Sequence, residues 1–286
     1  MKLRGKYALV SGASRGLGAR IARRFAEEGA ALALCARSEK ALAQIRRRLL
    51  QAVPDLEVMV LPTDISREKQ VDRLARAVED AFPHLDILVN CAGVAGPRGL
   101  LPAADWQEWK KAIVINLLGT AYMIRTFLPA LRRSRRGKII NISGGGATRP
   151  LPGLSSYAAS KAAVVRLTET LARELGSQSI DVNAVAPGVL ATRMVDDFLE
   201  LGAEILGQQY VEEVARQKRD PLPAMDRAAD LCVFLASEQG DGISGRLISA
   251  AWDPWKKFPR FRERIASSDI YTLRRIVPAD RGIELE

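Results

Sequence analysis

Tyr157 and Lys161 stand four residues apart in Ser155-Ser156-Tyr157-Ala158-Ala159-Ser160-Lys161, a spacing that puts a phenol and an ammonium on one face of a helical turn. Such a pair can exchange protons with a bound molecule. A free phenol titrates near ~10, so acid–base work near neutrality needs about 4 kcal/mol of electrostatic help, and a neighbouring ammonium is the obvious source. The same spacing occurs wherever a helix carries a surface cation beside an aromatic ring, so the pair is judged by the rest of the chain.

The first elements are those of a nucleotide-binding unit. Tyr7-Ala8-Leu9-Val10 is a short apolar run, followed by Ser11-Gly12-Ala13-Ser14-Arg15-Gly16-Leu17-Gly18 and an amphipathic helix from about Ala19 to Glu28. Glycines in such a turn allow a tight strand-to-helix reversal, close approach of backbone N–H groups to a pyrophosphate, and close packing of helix on sheet.

The Gly-x-x-x-Gly-x-Gly spacing, with Tyr157 and Lys161, resembles the short-chain dehydrogenase/reductase family over about Lys6 to Ser249. Asn90-Cys91-Ala92-Gly93 is similar to that family's Asn-x-Ala-Gly at the end of the fourth strand. Asp64, followed by Ile65, matches the position beside the adenine. Asn116 stands forty-one positions before Tyr157, the spacing of the family's helix asparagine that holds a proton-relay water. Pro187-Gly188 and Thr192 resemble the segment that meets the nicotinamide carboxamide. The resemblance implies that Asn116, Ser143, Tyr157 and Lys161 are catalytic. It also implies that Gly12, Ser14, Arg15, Gly16, Leu17, Gly18, Asn90, Ala92 and Gly93 surround a dinucleotide with Tyr157 and Lys161. At the end of the second strand an acidic residue would bind the ribose hydroxyls, but the family's spacing places Ala36 there, with Arg37 next. Arg15 and Arg37 favour NADP over NAD, since a guanidinium grips a 2′-phosphate.

Two departures from the family stand out. Its catalytic serine falls thirteen positions before the tyrosine, which is Gly144 here, and Ser143 is one residue early. Adjacent strand residues face opposite ways, so Ser143 reaches the substrate only if Gly144-Gly145-Gly146 redirects the chain; otherwise it is a strand-end hydroxyl, with Ser155 and Ser156 as further candidates. The second departure is a tail that continues past the last strand with Trp252, Trp255, Phe258, Phe261, Ile265, Ile270 and Tyr271 as apolar anchors. Residues 1–250 are expected to form one catalytic domain with a lid at about 189–225, and residues 251–286 an extension packed on that domain or on a neighbouring subunit. Part of the extension is expected on the substrate side.

The 286 residues are 48% hydrophobic, enough for a full core. No signal core is visible and no run approaches the ~20 apolar residues of a membrane helix, so a cytoplasmic protein without a membrane partner is expected. Cys35, Cys91 and Cys232 are isolated and suit buried thiols rather than disulfides. His84 is the single histidine, which leaves no histidine metal site and no hydrolase triad with a visible nucleophile elbow. The net charge of +10 falls on helix ends and the tail without a nucleic-acid-binding signature, so no nucleic acid is expected.

Strands at Tyr7–Val10, Ala31–Cys35, Glu57–Leu61, Ile87–Asn90, Lys138–Ile142, Asp181–Val185 and Arg246–Ser249 alternate with helical patterns. The fold class is α/β, a doubly wound parallel sheet of Rossmann type with helices on both faces and ligands at the carboxyl ends of the strands. The expected activity is an NADP-dependent exchange of hydride between nicotinamide and a ketone or secondary alcohol, resembling 3-oxoacyl carrier-protein reductase. A sugar, cyclitol or other polar-alcohol dehydrogenase, or a cofactor-binding sensor without turnover, remain alternatives. A small-molecule carbonyl or alcohol is the expected partner, in a homodimer or homotetramer paired through the helices near Trp106 and Tyr157.

Overall fold

Ile87–Asn90 and Gly137–Ile142 are buried along their whole length, as strands must be when helices cover both faces of a parallel sheet. The computed structural model describes residues 1–190, 193–218 and 224–284. Its seven strands are β1 (Tyr7–Ser11), β2 (Ala31–Ala36), β3 (Val58–Pro62), β4 (Ile87–Asn90), β5 (Gly137–Ile142), β6 (Ile180–Ala186) and β7 (Leu247–Ser249). They form one sheet in the order β3-β2-β1-β4-β5-β6-β7, every pair parallel. The chain reverses its winding direction between β1 and β4, and a crevice opens there at the carboxyl ends.

One face is covered by α1 (Gly16–Glu27), α2 (Glu39–Ala52) and α10 (Ala224–Ala236), whose Leu17, Ile21, Phe25, Leu42 and Phe234 join the apolar core. The other face carries α3 (Glu68–Ala81), α4 (Trp106–Ile113), α5 (Thr120–Arg132) and α6 (Ser155–Leu175), with Val71, Leu74, Met123 and Phe127 in a second core cluster. The helical run that starts at Trp106 is divided by a π turn at Val114–Gly119. This turn matters because it carries Asn116. The helical run Trp106–Arg132 is 27 residues long with a mean hydropathy of 1.4 in its most apolar window, so one run does meet the length and composition of a membrane helix. It is packed as a core element against α3, α6 and the sheet, with 44% of that window buried.

After β6 come three short helices, α7 (Arg193–Leu199), α8 (Gly202–Leu206) and α9 (Gln208–Lys218). Phe198, Leu206 and Tyr210 from these helices, with Leu201 from the turn between α7 and α8, pack with Leu151 and Leu154. Ion pairs Arg98–Glu200 at 2.5 Å and Arg149–Glu213 at 2.6 Å tie this segment to the loops after β4 and β5.

The extension leaves β7 at its carboxyl end and doubles back. Arg246 donates to the carbonyls of Ser268 at 2.9 Å, Ile270 at 2.8 Å and Ala266 at 3.3 Å. The Leu247 N–H donates to Tyr271 O at 2.8 Å, and the Leu273 N–H to Glu169 Oε1 on α6 at 2.6 Å. Trp255 and Phe258 are buried in the core cluster of α10, while Trp252 lies 5.5 Å from the Arg216 guanidinium of α9. Trp252 thus meets α9, and the backbone bond from Leu247 to Tyr271 covers part of the β7 edge. Such an edge would otherwise present unpaired backbone groups.

Candidate active site

Helix α1 begins inside the glycine turn, with Arg15 at its N-cap, no side-chain cap and no acidic residue in its first turn. Its N-terminal N–H groups and positive dipole end therefore face the crevice without competition from a carboxylate. Gly12, at φ +69°, could bear no side chain: a Cβ would lie 2.8 Å from Ala92 Cα. Gly18 has no room either, because its Cβ would strike the Gly12 carbonyl. The Ser11 hydroxyl accepts from the N–H groups of Cys91 at 3.1 Å and Ala92 at 3.2 Å, which joins the ends of β1 and β4. This is the close-packed cradle that a dinucleotide pyrophosphate needs. Leu17 and Ile65 are both 6% exposed with their side chains in the core, so they can offer a ligand backbone only. Ser14 is half-buried.

Beside this cradle, Arg37, Asp64, Gln70 and Arg73 surround a cavity of about 370 Å³ at the ends of β2 and β3. Arg15 and Arg37 are exposed, and Ala36 ends β2 where a ribose-binding acid would stand. Burial pushes the Asp64 carboxyl up, but hydrogen bonds from Ser66 and the charges of Arg37 and Arg67 outweigh it and hold the group below its ordinary value. Arg73 donates to Pro62 O at 2.9 Å, and nothing in its helical surroundings marked it in the sequence.

Tyr157, Lys161 and Asn116 come together on the far side of the crevice. Asn116 is 1% exposed; it accepts from the Val94 N–H at 2.8 Å and donates to Val94 O and Ser160 Oγ, both at 2.9 Å. A Cβ on Gly93 would sit 3.2 Å from Asn116 Oδ1 and 3.5 Å from Lys161 Nζ, so the glycine leaves both groups access to the crevice. Lys161 is 6% exposed and donates to Ile142 O at 2.8 Å. Burial draws its ammonium down to about 8, against a weak opposing effect of Cys91.

The expected activation of Tyr157 by Lys161 is not present in this arrangement. The Lys161 Nζ lies 5.8 Å from the centre of the Tyr157 ring, engaged on Ile142, and burial pushes the phenol up, with Tyr210 and Cys91 adding to it. The phenol is packed edge-on against Phe198, with ring centres 5.5 Å apart. Its hydroxyl fills the space in front of Gly144, where a Cβ would be 2.7 Å away.

Ser143 follows the strand alternation rather than turning inward. It is 2% exposed, and its hydroxyl donates to the Lys161 carbonyl at 3.3 Å. Ser155 Oγ accepts from Trp109 Nε1 at 3.0 Å, and Ser156 is 1% exposed behind Gly96. Asn90 also faces the interior, donating to Asn141 Oδ1 at 2.9 Å, while Asn141 donates to Thr168 of α6 at 2.9 Å. Pro187 is buried and Gly188 takes φ +81° just past β6. Thr192 lies outside the described residues. Ser11, Ser160, Thr168 and Tyr210 escaped the sequence reading because hydroxyl residues carry no spacing signal unless their partners are known. The extension encloses a separate cavity of about 540 Å³, lined by Pro254, Phe258, Phe261 and Ile270 among others, which shares no lining residue with the crevice described here.

Comparison with known proteins agrees with this geometry. The family model described as short chain dehydrogenase matches residues 6–200, which leaves most of the lid and the extension outside the match. A 3-oxoacyl-[acyl-carrier-protein] reductase of Staphylococcus epidermidis is 34% identical over 246 residues, covering 85% of this chain and 96% of the relative. Among solved structures, an NAD+-bound xylitol dehydrogenase superposes with a TM-score of 0.79 at 26% identity, covering 87% of this chain and 98% of that one. The Pseudomonas aeruginosa RhlG/NADP complex has a TM-score of 0.75 at 32% identity, covering 87% and 95%. A parallel sheet with this crevice, this glycine turn and these relatives places the chain in the short-chain dehydrogenase/reductase family of oxidoreductases.

Proposed function

We propose that the protein is an NADP-dependent reductase of ketones, run in reverse as a secondary-alcohol dehydrogenase. The observation that carries this reading is the convergence of Tyr157, Lys161 and Asn116 across the crevice from the Gly12 turn. A nicotinamide dinucleotide bound there supplies or accepts the hydride. Its pyrophosphate fits the start of α1, and Gly12, Ser14, Gly16, Gly18, Ala92, Gly93, Pro187 and Gly188 would line its path. Lys161 would hold the nicotinamide ribose, Asn116 the relay water and Tyr157 the substrate oxygen. Arg15 and Arg37, with no acid at Ala36, support NADP; the structural relatives include both an NAD+ and an NADP complex, so the preference rests on these residues.

The site's walls favour an apolar ketone over a polyol, because Leu151, Leu154, Phe198, Leu201 and Leu206 close around Tyr157. The 3-oxoacyl reductase relative agrees with that preference. Trp106 at 56%, Leu118 at 55% and Val114 at 36% exposure leave an apolar stripe along α4 and the π turn, which supports pairing of two chains there.

The test is oxidation of NADPH and NADH with a panel of β-keto esters, cyclic diketones and sugars. Tyr157→Phe, which keeps the ring and loses the proton, is expected to lower turnover by about 10²–10⁴-fold with NADPH binding unchanged. Replacing Arg15 and Arg37 together by Ala should erase most of the NADPH preference. Equal affinities of the wild type for the two cofactors would refute the NADP assignment, and undiminished turnover by Tyr157→Phe would refute the mechanism.

A further inference from the structure

We propose that the extension holds a second ligand site, separate from the crevice, that takes an aliphatic chain ending in a carboxylate. The site is the cavity of about 540 Å³ formed by the 3₁₀ turn Trp255–Phe261, helix α11 (Arg262–Ala266) and the returning residues 267–271. Small-molecule sites span roughly 300–1,000 Å³, so the cavity has the size of one. Its occupancy does not require the crevice to be catalytic.

The floor of the cavity is apolar and fixed. Phe258 and Ile265 are each 3% exposed, and the Tyr271 ring lies 5.1 Å from that of Phe258. Tyr271 holds this place in the left-handed backbone region, at φ +62°, which is uncommon for a bulky residue. Its carbonyl accepts from the Leu247 N–H at 2.8 Å, while Arg246 binds the carbonyls of Ala266, Ser268 and Ile270. The wall is therefore tied to the edge of the sheet, and closing the cavity would break those bonds. The apolar side chains inside lack the packing partners that a hydrocarbon chain would supply.

The mouth selects the charge. Phe261 and Ile270, 46% and 47% exposed, stand at the opening. Lys257 and Arg264 line the cavity with them, and no acidic residue does. Among the described residues neither cation pairs with a carboxylate. Other cations of the extension are occupied: Lys256 lies 5.4 Å from the centre of the Trp255 ring, and Arg262 donates to Gln239 O at 3.4 Å. Of the nearby acids, Asp253 accepts from the Ser249 N–H at 2.7 Å, Asp269 pairs with Arg274 at 2.5 Å, and the exposed Glu263 does not line the cavity. A carboxylate head at Lys257 and Arg264 with its chain on Phe258 and Ile265 satisfies both halves of the site. An ammonium head would meet two like charges, and a short acid would leave the floor bare.

Isothermal titration calorimetry of the full chain compares decanoate, butyrate and decyltrimethylammonium. The proteins are wild type, the double variant Lys257→Ala/Arg264→Ala, and Ile270→Trp, which plugs the mouth. All three positions are exposed, so melting temperatures should match wild type. Expected are saturable decanoate binding to wild type with a negative heat-capacity change, and binding at least tenfold weaker, on the order of 1.4 kcal/mol, for the other two probes. The double variant should lose about tenfold in decanoate affinity and Ile270→Trp more, with the NADPH Kd unchanged in both. Decanoate affinity unchanged in either variant overturns the proposal, as does equal binding of decyltrimethylammonium. Displacement of decanoate by NADPH also overturns it, by placing the chain in the crevice. A wild-type dimer in light scattering that Ile270→Trp converts to a monomer would give the cavity to a second copy of the chain instead.

Discussion

The two ends of the same sheet treat buried charge in opposite ways. At the amino end, Asp181 is 5% exposed and accepts from Arg136 at 2.9 Å and Lys138 at 2.8 Å, while Lys138 also meets Asp241 at 2.6 Å. Asp86, 2% exposed, accepts from Lys6 at 3.2 Å, the Tyr7 N–H at 3.0 Å and Ser134 at 2.6 Å, and faces His84 at 3.1 Å. At the carboxyl end, Lys161 is as deeply buried as Lys138, yet among the described residues no carboxylate pairs with it, only the Ile142 carbonyl. A paired buried charge holds structure; an unpaired one is tolerated where a ligand is to be held. The pair formed by His84 and Asp86 belongs to the closed end of the sheet, away from the crevice.

Breaking the amino end should cost the most stability and the least chemistry. Asp181→Asn leaves Lys138 with Asp241 alone and weakens the bonds from Arg136 and the Gly242 N–H, an expected loss of about 3 kcal/mol of unfolding free energy in urea. Turnover per folded molecule should be unchanged. Burial pushes the Asp181 carboxyl up, but Arg136, Lys138 and the Gly242 N–H outweigh it and hold it below its ordinary value. Its stabilisation is therefore present above ordinary carboxylate pH and lost as pH falls below about 4. An acid transition identical in wild type and Asp181→Asn would contradict this account.

Arg246 extends the same principle to the extension. Arg246→Ala removes three charge-assisted bonds to carbonyls, an expected loss of about 2 kcal/mol, and should expose residues near Ala266 to proteolysis. Cleavage there at the wild-type rate would show that Trp255 and Phe258 hold the extension unaided.

The carboxyl end should respond in the reverse sense and by less. Lys161→Met removes an unpaired buried cation and is expected to leave stability equal or higher by about 1 kcal/mol while abolishing turnover. With its folded value drawn from 10.5 to about 8, Lys161 makes the native state bind fewer protons than the unfolded chain between these pH values. Wild-type stability should thus rise as pH goes from about 8 toward 10.5, and the Met variant should lack that part of the rise. A variant that is several kcal/mol less stable would place Lys161 with the amino-end charges.

The strand and helix order was legible because each element declares itself through local periodicity. Ile87–Asn90 is bounded as expected, and the other strands differ by a residue or two at their ends. The helices of the lid were not delimited, since Val189 to Met225 mixes apolar and acidic residues without one clear period. The π turn at Asn116 was also invisible, because one extra residue per turn leaves no mark in an apolar run.

The glycine turn and the Tyr157–Lys161 pair could be placed from sequence alone because both depend on neighbours a few residues away: steric demands at Gly12 and Gly18, and 3.6 residues per turn in α6. What each side chain does was decided by contacts distant in the chain. Ser143 meets Lys161 eighteen residues on, Asn116 meets Ser160 across forty-four, and Arg246 meets carbonyls of a segment that first has to fold back. The Tyr157 hydroxyl faces Gly144 because Phe198 of the lid packs on its ring, so even the state of the central residue is set by packing over a long sequence separation. Local spacing limits where a group can stand, whereas its partner, burial and protonation depend on the dielectric and charges that only the assembled fold brings around it.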